Sequence, residues 1–202
     1  MPIIFLAIGS FLVGSVSVGY LLGRIYGKDV KAYGSGNIGA TNVSRVLGKK
    51  AGAVTFAWDL AKGVLVVGLA PLILPQTASA IGPVPVSAIS GVCVIYGHCF
   101  SAFLHFKGGK GVATSMGVFS LLLPWHLLIA LAAFGATLAT SRIVSLSSIV
   151  AAIALWLLAL LDFPTHVDTS VKIAATLCCL LIIVRHGANI TRIIWGKEKR
   201  FF

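Results

Sequence analysis

Acidic side chains are scarce. Asp29, Asp59, Asp162, Asp168 and Glu198 are the five in 202 residues, against sixteen lysines and arginines. None forms a DxxD-like pair, and enzymes that handle pyrophosphates or transfer phosphoryl groups with divalent ions hold those ions on carboxylates. A metal-dependent phosphotransferase is therefore disfavoured, and the expectation is a protein with no metal required and no cofactor. Cysteine is rarer still: Cys93, Cys99, Cys178 and Cys179 lie within or at the edge of apolar segments, with neither metal-ligand spacing nor a secreted disulfide pattern, and read as packing residues. A net charge of +11 raises the question of nucleic acid, but the basic residues stand at the ends of apolar stretches instead of forming a stripe, and no RNA- or DNA-binding motif accompanies them. No nucleic acid partner is expected. Low-complexity segments, a soluble domain and a convincing repeat are also absent, so residues 1–202 read as a single domain.

What the chain has is apolar length. It is 58% hydrophobic and 10% charged, with a mean hydropathy of +1.01, which places it among integral membrane proteins. Runs of about twenty apolar residues match a helix crossing a hydrocarbon core of roughly 30 Å. A closed barrel would show alternating segments of about ten residues, which these are not. The first run, 2–22, follows Met1 with no charged region before it, which argues against a cleaved signal peptide. Its small residues Gly9, Ser10, Gly14, Ser15 and Gly19 read as a close helix-packing face. Further runs cover 51–74, 83–104, 112–141, 144–163 and about 166–185.

Residues 112–141 would reach about 45 Å as one helix, too long for one span. Charge placement settles how to divide them. Arg24, Lys28, Lys31, Arg45, Lys49 and Lys50 lie in the first loop, Lys107 and Lys110 in the third, and Arg185, Arg192, Lys197, Lys199 and Arg200 at the C-terminus. The positive-inside rule puts all three groups on the cytoplasmic face, while the loops at 75–87 and 162–168 carry no Lys or Arg. Only a split at Pro124 and Trp125 lets Lys110 and the C-terminal cluster share a side. The predicted fold is an all-α integral membrane bundle of about seven transmembrane helices, N-terminus outside and C-terminus cytoplasmic. Two short helices flank the split, and irregular backbone at that depth is tolerated only beside protein or a water-filled cavity.

Four polar segments fall on the predicted inner face: GSGNIGATNVSR at 34–45, HCFSAFLHFKGGKGVAT at 98–114, SRIVSLSS at 141–148 and RHGANITR at 185–192. Glycines let backbone N–H groups turn toward a ligand, and such concave arrays bind anions. Ser, Thr and Asn add donors, Arg and Lys add charge, and phosphate fits that inventory. Neither Gly-rich segment matches GxxxxGK[ST], so a nucleotide P-loop is unsupported. A tight turn is the plain alternative for either loop alone; four such segments on one face make it a poor account of the set.

Asp59 and Lys62 sit at i, i+3 inside the second span, either as a functional pair or as a mutually neutralising structural one. His126 and His166 fall on the outer loops, interfacial or solvated. For His98 and His105 three roles stay open: phosphate binding, hydrogen-bond donation or helix capping. His186 and Asn189 at i+3 would share a helix face, with His186 placed to polarise a hydroxyl.

SGNIGATNVSR, GHCFSAFLHFKGGKGVATSMGV, SRIVSLSS and RHGANITRI together resemble the acyl-phosphate:glycerol-3-phosphate acyltransferases of bacterial membranes, the PlsY family. The resemblance runs by motif from Gly34 to Arg192. One departure is that the family's His-x-Phe-Pro reads His98, Cys99, Phe100, Ser101 here, a change expected to alter a helix end more than the chemistry. The resemblance implies transfer of a fatty acyl group from acyl phosphate to the 1-hydroxyl of glycerol 3-phosphate, giving lysophosphatidic acid and inorganic phosphate. It also implies seven spans and a site open to the cytoplasm of the bacterial inner membrane, with glycerol 3-phosphate, acyl phosphate and membrane lipid as partners.

An acyl phosphate is a mixed anhydride with a good leaving group, so orientation and charge stabilisation carry most of the catalysis and a strong protein base is unnecessary. On this expectation Ser35, Asn37, Thr41 and Arg45 form one side of the phosphate site, and Lys107 and Lys110 with Gly108, Gly109 and Gly111 form the other. Gly34, Gly36, Gly39, Asn42, His98 and Thr114 complete the binding set. Arg142, Ser145, His186, Asn189 and Arg192 close around glycerol 3-phosphate. A substrate phosphate oxygen takes the hydroxyl proton, with His186 the competing base, and spacing does not rank Lys107 against Lys110. A small transporter or channel for organic phosphates shares the Gly-rich breaks and deep cations. Against it stands the clustering of the motifs on one face.

Overall fold

The computed structural model describes residues 1–75 and 85–201; most of the outer loop expected at 75–87 lies outside the described residues. Among those described there is no strand. Residues 1–202, read above as one domain, divide into two compact units, Met1–Leu121 and Leu122–Phe202, and each is taken by itself.

The first unit contains α1 (Pro2–Ser15), α2 (Val18–Ile25), α3 (Ala40–Leu47), α4 (Lys49–Ile73), α5 (Val86–Cys99), a 3-10 turn at Ala102–Leu104, and α6 (Val112–Leu122), which ends at the boundary. α1 and α5 cross through glycines. A Cβ on Gly14 would stand 2.2 Å from the Val94 carbonyl oxygen, and one on Gly97 would stand 2.0 Å from that of Phe11, so the two backbones approach as small residues permit in membrane bundles. Gly9, expected on the same packing face, looks onto open space.

The first span is not the unbroken run that its apolar sequence predicts. The backbone leaves the helix at Val16 (φ −71°, ψ 118°), and α2 restarts after Ser17, whose hydroxyl accepts from the Tyr20 N–H at 3.2 Å. Each carbonyl at the break has a partner from elsewhere in the unit. Lys62 Nζ donates to Gly14 O (3.0 Å) and Val16 O (3.2 Å), Trp58 Nε1 to Val16 O (3.2 Å), and Ser101 Oγ to Ser15 O (2.6 Å). Lipid offers no substitute for these bonds, so the break exists only because α4 and the turn after α5 supply them.

The polar segment 34–45 is also only half a loop, since α3 begins at Ala40 and carries Thr41, Asn42 and Arg45. At the other end of the unit the helix over 112–141 stops where expected. Leu123 is non-helical (φ −142°, ψ 56°) and Pro124 opens the next helix, the position where proline's missing N–H costs nothing. α6, with eleven residues, reaches about 16 Å, half a hydrocarbon core.

The second unit contains α7 (Pro124–Ser141), α8 (Val144–Leu160), α9 (Thr169–Arg185) and α10 (Gly187–Ile194), with α8 packed on both α7 and α9. His126, expected on an outer loop as an interfacial or solvated residue, is 1% exposed in the first turn of α7, which starts two residues earlier. His166 is exposed as expected. The connection after α8, expected on the outer face, contains no Lys or Arg, yet Lys172 in α9 reaches back to Asp162 at 2.7 Å. That bond, with the Val167 N–H, holds the Asp162 carboxyl below its usual range.

Among the described residues, and counting α1 and α2 as one stretch, four helical segments are long and apolar enough to cross a membrane: Pro2–Ile25, Lys49–Ile73, Val86–Leu104 and Pro124–Ser141. The pair α9 and α10, bent by 56°, makes a fifth, and Val112–Leu122 and Val144–Leu160 are shorter apolar helices.

Candidate active site

The first unit holds the first two polar segments, and a shared apolar cluster brings them together: Ile38 and Val43 of the first pack with Leu104 of the second, alongside Val30 and Ala51. Asn42 is the knot of the first segment. Its carboxamide oxygen accepts from the Ser35 N–H (2.7 Å), and its amide group donates to the carbonyls of Val30, Tyr33 and Asn37. Asn42, expected among the phosphate ligands, is 2% exposed with its carboxamide turned to the chain. It shapes the loop instead. Gly34 (φ +68°) makes room for it, since a Cβ there would lie 2.1 Å from the Asn42 oxygen. Asn37 Oδ1 accepts from the Gly39 N–H at 2.7 Å, a local turn that opens α3. Ser35, Gly34, Gly36 and Arg45 stay exposed, and Asn37, Gly39 and Thr41 are half-buried.

The second segment folds back on the end of α5. The Gly108 N–H donates to Cys99 O (3.1 Å) and the Gly109 N–H to His98 O (2.9 Å). Lys107 is exposed and Lys110 half-buried, with Gly111 (φ +85°) leading into α6. Two side chains expected in the binding set are buried here. Thr114 is wholly buried with its hydroxyl unpaired, in the first turn of α6. His98, 5% exposed, turns its Nδ1 inward to Lys62 Nζ (2.9 Å) and Asp59 Oδ1 (3.3 Å). Asp59 and Lys62 do pair, at 2.8 Å, and the third member is a histidine whose sequence separation gives no hint of it. His105, exposed at φ +54°, ends the 3-10 turn.

In the second unit the third and fourth polar segments meet around a residue that sequence reading counted only as one of five acids. Glu198 Oε1 accepts from Ser145 Oγ (2.8 Å) and Asn189 Nδ2 (2.5 Å), and Oε2 accepts from Arg192 Nε (2.6 Å). The tail is held further by the Phe201 N–H, which donates to Arg142 O at 2.7 Å. Arg142 itself is exposed, in the left-handed conformation (φ +60°) that ends α7. Partial burial pushes the Glu198 carboxyl up, but the bonds from Arg192, Asn189 and Ser145 outweigh it and hold the group below the usual glutamate value. The one available signal was an acid set among C-terminal lysines and arginines.

His186 is the joint between α9 and α10, so it and Asn189 do not share a continuous helix face. They are linked through the Asn189 N–H, which donates to His186 O at 2.8 Å. The ring is 2% exposed and its Nδ1 lies 2.8 Å from Ile182 O. A carbonyl only accepts, so Nδ1 donates the hydrogen of this bond.

An all-helical membrane protein with cationic, glycine-rich segments at its helix ends is the class these features define. Residues 4–196 match the family model described as glycerol-3-phosphate acyltransferase. A glycerol-3-phosphate acyltransferase of Trichlorobacter lovleyi is 44% identical, with 96% of this chain and 94% of the relative covered. Glycerol-3-phosphate acyltransferase 2 of Bacillus anthracis is 43% identical, covering 95% of each. A crystal structure of PlsY (YgiH), described as an integral membrane glycerol 3-phosphate acyltransferase in its glycerol 3-phosphate form, superposes with a TM-score of 0.88 at 34% identity, covering 100% of this chain and 96% of that one. Its lysophosphatidic acid form superposes with a TM-score of 0.83 at 35% identity, covering 99% and 95%. The chain belongs to the glycerol-3-phosphate acyltransferase (PlsY) family, and its activity is acyl transfer to glycerol 3-phosphate.

Proposed function

We propose that the acyl donor is acyl phosphate, that the 1-hydroxyl of glycerol 3-phosphate attacks it, and that lysophosphatidic acid and inorganic phosphate leave. The chain works as one domain of seven spans in the bacterial inner membrane, N-terminus outside, with its site on the cytoplasmic side. The observation that carries the reading is the donor array of the second unit. Three side chains anticipated as glycerol 3-phosphate ligands, Ser145, Asn189 and Arg192, already hold one oxyanion group in hydrogen-bonding geometry. Arg192 spends one of its five N–H donors on Glu198, and the other four serve the substrate phosphate.

In the first unit, Ser35, Thr41, Arg45 and Asn37, with the exposed glycines Gly34 and Gly36, bind phosphate on one side. Lys107 and Lys110, with Gly108, Gly109 and Gly111, bind it on the other; in the second unit Arg142 adds charge to the glycerol 3-phosphate array. The phosphate leaving group makes the carbonyl reactive, so these cations act mainly by orienting it and stabilising the developing charge. The proton of the attacking hydroxyl goes to a substrate phosphate oxygen or to His186 Nε2.

Detergent-purified protein given acyl phosphate and glycerol 3-phosphate should release inorganic phosphate with no sealed membrane present. Absence of release, with glycerol 3-phosphate moving only across vesicles, would move the protein to the transporter class. His186→Ala separates the two bases: a kcat loss of about 10²-fold or more makes the ring the base, and a rise confined to KM assigns the proton to substrate phosphate.

A further inference from the structure

The first unit buries a charged cluster that the chemistry above does not use. Lys62 is 1% exposed and Asp59 3%, within a helix long and apolar enough to span the bilayer, where an ionisable pair is costly and needs a reason. The pair does not stand alone. The ammonium holds the α1 break through Gly14 O and Val16 O, and it meets His98 Nδ1 at 2.9 Å. His98 then touches the 107–111 loop twice. Its carbonyl accepts the Gly109 N–H at 2.9 Å, and its ring lies against Gly109 so closely that a Cβ there would stand 2.1 Å from Nε2. The ring is gripped between a buried ion pair on one side and the loop backbone on the other.

We infer that Asp59 and Lys62 are positioning residues for phosphate binding: through His98 they fix where the Gly108–Gly109 backbone sits, and with it Lys107 and Lys110. The inference rests on the reading of 107–111 as a phosphate loop. The ion pair supplies a rigid anchor inside apolar helices, where the donors of an ammonium have no water to exchange with. A loop of three glycines in five residues has little stiffness of its own, so its position has to be imposed by what it rests on. Displacements of the order of 1 Å at such a loop can cost about a hundredfold in rate.

The test uses full-length enzyme in detergent, carrying His98→Ala, His98→Asn, or the charge-neutral pair Asp59→Asn with Lys62→Met. His98→Ala leaves the Asp59–Lys62 pair in place, so it keeps the test open if the neutral pair does not fold. KM for each phosphate substrate, kcat, and amide exchange over 105–111 are measured. KM for one phosphate substrate should rise about tenfold or more in His98→Ala, with kcat within about threefold, and Gly108 and Gly109 should exchange about tenfold faster. His98→Asn, which puts a polar atom where Nδ1 was, should recover most of both losses.

Unchanged KM and exchange in His98→Ala would overturn the inference, as would a fall in kcat with both unchanged, which would make His98 a chemical participant. The double variant Lys107→Ala with Lys110→Ala separates the two readings. A normal KM there overturns the phosphate-loop assignment and this inference with it. A raised KM there beside an unaffected His98→Ala overturns this inference alone.

Discussion

The first unit gathers its polar groups around Asp59, inside packed helices and away from solvent. The second gathers them around Glu198, in a tail segment beyond the last helix, with the guanidinium of Arg192 partly exposed. In both, one carboxylate from outside the four polar segments holds side chains that those segments supply: His98 in the first unit, and Ser145, Asn189 and Arg192 in the second. What differs is the medium. In apolar surroundings an ion pair is worth most to the fold when complete and most damaging when half removed. At a partly wetted surface the same geometry is softened by water and salt.

The largest effect that can break this comparison is at Lys62. Lys62→Met leaves Asp59 buried without its counter-charge, and removal of one partner from a buried pair costs about 3–5 kcal/mol. The melting temperature in detergent should fall sharply, and adding Asp59→Asn should restore part of it. A double variant no more stable than the single would show that the pair's charges are not what holds the helices. Loss of the α1-break carbonyl partners is common to both variants and cancels between them.

Next is Glu198→Gln. It keeps the shape and one carbonyl acceptor but removes the negative charge, so the bonds from Ser145 and Asn189 become neutral and Arg192 loses its ion pair, each losing a share of the about 1.5–3 kcal/mol that a bond to a charged group contributes. Ser145, Asn189 and Arg192 should lose alignment together, so kcat/KM for glycerol 3-phosphate should fall about tenfold, and Glu198→Ala further. Activity unaffected by Glu198→Ala would remove the donor array from the site.

The acid response sharpens the same contrast. Glu198 is held below its usual value in the fold, so the unfolded chain takes up the proton first. The stabilisation is complete above the ordinary glutamate range and is lost as pH falls through the lowered folded value. Stability measured from neutral pH downward should therefore decline at the acid end, and Glu198→Gln should flatten that part of the curve while lowering its plateau. A wild-type profile with the same acid limb as the variant's would show that Glu198 does not titrate differently in the two states.

Much of the fold was legible because hydrophobic length and the placement of Lys and Arg are one-dimensional signals. They located the long helices and the break before Pro124. The break at Val16 was illegible because nothing local causes it. Its carbonyls are satisfied by Trp58, Lys62 and Ser101, which lie 42 to 86 residues away, and those contacts are set by packing. The polar segments were likewise found by composition, but composition cannot tell a ligand-facing amide from one bonded to its own chain. Asn42 and Asn37 sit in the same twelve residues, and only coordinates show that the first spends its carboxamide on four backbone groups. Glu198 escaped because its partners Ser145 and Asn189 come from other segments.

The smallest effect is at Ser101, where the resemblance led one to expect proline. Its hydroxyl closes the α1 break by donating to Ser15 O at 2.6 Å, a single hydrogen bond of a kind worth about 0.6 kcal/mol on average between membrane helices and at most about 1.7. Ser101→Ala should lower the melting temperature slightly. Ser101→Pro loses the same bond, but the φ of −56° at this position already suits a pyrrolidine ring, and reduced freedom of the unfolded chain offsets about 0.4–1 kcal/mol of the loss. Proline should thus lie between alanine and serine in stability, with KM for both substrates unchanged. A proline variant less stable than the alanine one would mean that the ψ of 57° at Phe100, short of the extended values a residue before proline prefers, outweighs the entropic gain.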